Sequence, residues 1–75
     1  GVVVTSFAIA RRVAHIVEQI GKVTEDAVLL ELDRRGITPD RAEEGIRLGL
    51  VRGMYVRRTE DGKTVFQRQI DLAAL

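Results

Sequence analysis

The chain has no cysteine and no tryptophan, one proline, one methionine and one histidine, and its aromatic residues are only Phe7, Tyr55 and Phe66. Without cysteine there is neither a disulfide framework nor a thiolate metal site, so the fold has to be held by packing. That usage fits a reducing, intracellular setting, and the cytoplasm or a nucleoid is the expected location. A lone histidine, His15, has no second imidazole to share a metal with. No apolar run approaches the roughly 20 residues that cross a bilayer, so no membrane contact is expected. Residues 2–4, all valine, lack the basic lead and long apolar core of a signal peptide. Neither GxGxxG nor GxxxxGK[ST] occurs, which removes the common phosphate-cradling loops. No cofactor is expected. With 75 residues the chain suffices for a single domain, 1–75, and not for an enclosed active site.

What is present supports a packed core. Apolar residues make up 45% of the chain, which argues against disorder. Residues 6–20 repeat at a helical period, with Phe7, Ala10, Val13, Ala14, Val17 and Ile20 on one stripe. Arg11, Arg12, Glu18 and Gln19 fall off that stripe, Ile9 and Ile16 widen it, and His15 falls at its edge as a partly buried structural residue. Thr5 or Ser6 can cap this helix and Gly21 can end it. A second helix starts at Thr24, with Glu25 and Asp26 complementing the helix dipole, and stops at Gly36. Ala27, Val28, Leu30 and Leu32 are its expected buried side, with Leu29 at the edge. Between these helices Lys22 and Val23 leave room for one or two residues beside a sheet.

The third helix has the clearest start: Thr38 as cap, Pro39 where its missing N–H costs nothing, then Asp40. Ala42, Ile46 and Leu50 form its inward row, with Gly45 and Gly49 beside them, and Gly53 ends it. Two glycines inside a helix each cost about 1 kcal/mol relative to alanine. Close approach of another helix is the preferred explanation, over a surface where DNA or a partner comes near. After Gly53 the period changes to two, giving strands over residues 54–59 and 63–70. Two hairpin registers compete. A two-residue Asp61-Gly62 turn pairs Arg57 with Phe66, and a three-residue loop pairs Val56 with Phe66. The second places two apolar side chains together, so burial favours it.

Three helices, the last two joined by a short Gly36-Ile37-Thr38 turn, then a hairpin with an Asp-Gly tip, resemble a winged helix-turn-helix domain. The strongest local match is Ile46-Arg47-Leu48-Gly49-Leu50-Val51-Arg52-Gly53-Met54-Tyr55-Val56-Arg57, which is similar to the family's junction between recognition helix and wing. Within the superfamily, Gly36-Ile37-Thr38-Pro39-Asp40 leading to Gly53-Met54-Tyr55 resembles the C-terminal domain of archaeal minichromosome maintenance helicases. The resemblance implies an α+β fold, three helices followed by a two-stranded β-hairpin wing. It also implies a non-enzymatic module in transcription regulation or DNA replication, with double-stranded DNA as partner. The same fold serves protein-binding modules, so docking to a protein, or to the rest of a larger chain, is the alternative.

Charge patterning bears on that choice. Residues 47–68 carry six basic side chains against Glu60 and Asp61, a local +4 inside a total of only +1. Such a stretch neutralises phosphates, the sequence-independent part of DNA affinity. Arg57, Arg58, Lys63 and Arg68 are the expected wing contacts, supported from helix three by Arg41, Arg47 and Arg52. Against base reading stand Asp40, Glu43 and Glu44 on the outer side of that helix, where carboxylates would face phosphates. No Asn or Gln lies between residues 20 and 66 to read bases. Tyr55 is expected on an amphipathic strand, since no second exposed aromatic accompanies it as a stacking platform. Glu43 and Glu44 are adjacent and point apart, and Ser6 is more than two turns from His15, so no catalytic set emerges. The apolar end at residues 71–75 and the absence of a starting methionine fit excision from a larger protein, and the first glycine also fits a remnant of expression.

Overall fold

A computed structural model describes residues 4–69. The order is α1 (Ser6–Ile20), β1 (Lys22–Thr24), α2 (Glu25–Arg34), α3 (Pro39–Val51), β2 (Val56–Glu60) and β3 (Lys63–Gln67). The three helices begin as their sequences dictate. Thr5, Thr24 and Thr38 are extended N-cap residues whose hydroxyls accept from the amides of Ala8, Ala27 and Arg41, three positions on. Gly21 and Gly36 follow α1 and α2 with positive φ, the conformation that lets a chain turn out of a helix.

The helices close over one core. Ile9, Val13 and Val17 of α1, Val28 and Leu32 of α2, and Ala42 and Ile46 of α3 are buried together with Tyr55 and Phe66. The two helical glycines are sites of close approach: Gly45 admits Ile9 of α1, and Gly49 admits the Tyr55 ring from beyond the end of α3. A Cβ added to Gly45 would lie 2.5 Å from Ile9 Cβ, and one added to Gly49 would lie 2.6 Å from the Tyr55 ring. Both are packing positions, but the expected approach of another helix holds only at Gly45, because at Gly49 the neighbour is the Tyr55 side chain. Tyr55 is fully buried ahead of β2 rather than on an amphipathic strand. Its hydroxyl donates to the Ile46 carbonyl at 2.9 Å, and its ring meets Phe66 edge-on, with centroids 5.5 Å apart. Loss of solvent around the phenol pushes its pKa up to about 12.

The sheet differs from the two-stranded wing. It has three antiparallel strands in the order β1-β3-β2, because residues 22–24 pair along β3. The hairpin register is also corrected: Arg57, not Val56, lies opposite Phe66, and Asp61-Gly62 forms a two-residue turn. The turn chemistry explains it. Asp61 and Gly62 both take positive φ, 51° and 77°, the combination that matches the strand twist of a tight hairpin. The apolar partner that Phe66 lacks on β2 is supplied by Val23 of β1, directly across from it.

Several other expectations shift. Ile20, placed on the buried stripe of α1, is 62% exposed, and Leu30, placed on the buried side of α2, is 54% exposed. Ala27 is exposed too, and Ile9 at the margin of the stripe is fully buried. His15 is exposed rather than partly buried. β2 begins at Val56, two residues later than its period suggests, because Tyr55 turns into the core. Residues 2–3 of the valine run, residue 70 at the end of the second expected strand and the apolar end at 71–75 lie outside the described residues.

Candidate nucleic-acid interface

The alternation of β2 and β3 sorts the hairpin cations onto two faces. Phe66 shares its face with Val23 and Arg57, the side covered by the helices. Arg58 and Lys63 share the opposite, outer face with Lys22, Thr24, Glu60 and Val65. Across that outer face Lys22 Nζ meets a Glu60 carboxylate oxygen at 2.8 Å. Val65 is buried there although it is not part of the helix-side core, in a depression lined also by Lys22, Thr24, Glu60 and Lys63. Glu60 lies directly opposite Lys63 on this face, but its ion pair is with Lys22. Among the described residues neither Arg58 nor Lys63 has an ion-pair partner, and both are exposed.

Arg57 stands in a different field. It acts on the Glu25 carboxyl at the start of α2, together with Glu43 of α3. Glu25 has its pKa raised, first by burial and then by Glu43, while Arg57 opposes both. The Arg57 guanidinium, exposed and in no ion pair among the described residues, thus favours the charged form of Glu25 through space.

The remaining sequence-predicted cations do not join this face. Arg41 donates a hydrogen bond from its guanidinium to the Val4 carbonyl, tying α3 to the segment before α1. Arg52 follows α3 as its C-cap residue and stacks its guanidinium 5.4 Å from the Phe7 ring centroid. Arg47 lies on the outward side of α3, which also presents Asp40, Glu43, Glu44 and Val51, the last 79% exposed. Arg68 follows β3, at the end of the hairpin away from the Asp61-Gly62 turn, and is exposed. The seven residues are therefore distributed over the hairpin's two faces, the α3 surface and the α1–α3 edge, not gathered into one patch.

Sequence reasoning overlooked Lys22, and with it Arg11, Arg12 and Arg35. The Lys22–Glu60 pair spans 38 positions of chain, so no local pattern announces it. Arg11 and Arg12 were legible as off-stripe residues of α1, but their nearness to Arg52 and Arg35 depends on helix packing.

Among the described residues no group of three or more histidine, aspartate or glutamate side chains could hold a metal ion, and no helix is long and apolar enough to cross a membrane. No family model, curated protein or solved structure matches the chain.

Proposed function

We propose that this three-helix, three-stranded domain is a winged-helix module that contacts the phosphate backbone of duplex DNA through the outer face of its hairpin, without catalysis and without a cofactor. The observation that carries the reading is the pair Arg58 and Lys63, diagonal neighbours on one face of the hairpin and both exposed, where Glu60 opposite Lys63 is ion-paired with Lys22. Two unpaired cations on a short, twisted hairpin suit two phosphates of one strand, and contacts of that kind position a protein without reading sequence. The third helix is not assigned base reading, since Asp40, Glu43 and Glu44 would oppose the phosphates flanking a groove.

One observation favours a second use for that helix. Val51, exposed beside Arg47 and Glu44, gives the outer side of α3 the mixed character of a protein contact. A domain that touches DNA with its hairpin and a protein with α3 would serve as an adaptor in transcription or replication.

A salt titration of duplex binding tests the DNA reading. The logarithm of affinity should fall linearly with the logarithm of salt, and the double substitution Arg58→Ala/Lys63→Ala should lower the slope by about 2. Absence of binding at low salt, or a double variant with an unchanged slope, would sink the proposal and leave the α3 surface as the working site.

A further inference from the structure

A second cationic surface lies across the N-terminal half of α1, away from the hairpin. Phe7, Arg11 and His15 succeed one another at four-residue spacing on the solvent side, with Ala8 three positions before Arg11, so they are neighbours along one ridge. Arg52 reaches this ridge from the end of α3 and lies over Phe7, whose ring stays 42% exposed. On the other side Arg12 turns toward the α2–α3 connection, where it lines a depression with Ala8, Arg35 and Ile37. Ala8 and Arg12 also line the neighbouring depression with Phe7, Arg11 and His15, so the two join into one band.

Four arginines thus follow each other across α1 in the order Arg35, Arg12, Arg11, Arg52. Among the described residues Arg11, Arg12 and Arg52 have no ion-pair partner, and only Arg35 is paired, with Glu31 at 3.3 Å. The one carboxylate on α1 is Glu18, beyond the end of the band. The core does not depend on this charge: each of these side chains is exposed, and none belongs to the buried cluster.

We propose that this band binds a single strand of nucleic acid, with Arg11, Arg12 and Arg52 on its phosphates and the Phe7–Arg52 stack against an unpaired base. The aromatic component decides between strand types. Arginines alone would serve any polyanion, but an exposed phenyl ring carrying a guanidinium offers a stacking surface that only an unpaired base can use. In a duplex the bases already stack on each other, so the exposed ring has no base face to meet. The small side chain of Ala8 leaves the floor between Arg11 and Arg12 low enough for a backbone to cross. The proposal is independent of the hairpin reading, because it shares no residue with Arg58 and Lys63.

Fluorescence anisotropy with a labelled oligothymidylate of about 12 nucleotides tests it on the full chain. Binding at low salt should weaken tenfold or more in Arg11→Glu/Arg12→Glu, a change confined to exposed side chains and checked for folding by circular dichroism. Phe7→Leu keeps the apolar contact and should weaken the same strand roughly fivefold, while leaving an abasic strand of equal length unaffected. Arg58→Ala/Lys63→Ala should leave oligothymidylate binding unchanged and weaken only the duplex. Failure to bind oligothymidylate at low salt would overturn the proposal, as would full binding by the folded charge-reversal variant. Equal loss of thymidylate and abasic strands in Phe7→Leu would overturn the stacking contact.

Discussion

α1 and α3 pack on each other along a glycine seam, yet their outer sides differ in almost every respect. The outward side of α3 carries Asp40, Glu43, Glu44 and Arg47 around an exposed valine. The outward side of α1 carries Arg11, Arg12 and His15 beside an exposed phenylalanine, and Arg52 from the end of α3 folds over onto it. The helix that the winged-helix resemblance nominates for DNA is thus the less suited to a polyanion, and the helix it treats as scaffold is the better suited. An architectural resemblance assigns positions to elements, whereas affinity depends on which charges those elements present.

The comparison depends first on the seam that fixes both helices, and breaking it should give the largest effect. Gly45→Ala and Gly49→Ala each add a methyl group where Ile9 or Tyr55 already stands. Each should destabilise the domain by about 1–3 kcal/mol in chemical denaturation, after any gain in helix propensity. A rise in stability would mean that α1 is not in close contact at Gly45, or that the Tyr55 ring does not rest against Gly49. For the outer surfaces, Arg58→Ala/Lys63→Ala should weaken duplex binding about tenfold at low salt, as two phosphate contacts are lost.

Tyr55→Phe removes one buried hydrogen bond beneath the seam and should cost about 1 kcal/mol in the same denaturation assay. As Tyr55 is the sole tyrosine, its ionisation can be followed directly by ultraviolet absorbance. Its pKa in the fold is about 12, against an ordinary value of 10.0. Burial therefore favours the neutral phenol, a contribution fully present below pH 10 and lost progressively as the pH rises to about 12. Alkaline unfolding in that window should be delayed in Tyr55→Phe relative to its own stability at neutral pH. The smallest effect is expected on the acidic side of the comparison. Glu44→Gln should raise duplex affinity about twofold, since one like-charge repulsion is removed at an exposed site. No change there would place α3 away from the DNA altogether.

Much of the fold was legible because its signals are local. The three threonine caps, the proline at the start of α3 and the Asp-Gly turn act within four residues of themselves, and helix starts followed from them. The packing role of Gly45 and Gly49 followed from cost, because glycine inside a helix needs a reason. The hairpin register was misjudged for a non-local cause: the apolar neighbour of Phe66 is Val23, 43 positions earlier in the chain and invisible to a comparison of two strands. Tyr55 was misplaced on a strand because its neighbours alternate, although the open space above Gly49 draws its ring inward.

The candidate surfaces divide in the same way. The amino-acid sequence by itself determined the number of helices, where they begin, the site of the hairpin turn and the surplus of positive charge between residues 47 and 68. Each is set by contacts a few residues apart or by composition. Tertiary structure alone decided that β1 completes the sheet, that Lys22 engages Glu60, that Arg57 shares the face of Phe66 and that Arg52 joins Phe7. Those placements depend on how helices and strands pack across the whole chain. Whether an arginine is spent within the molecule or faces outward is a property of its neighbours in space, and its neighbours in sequence do not carry that information.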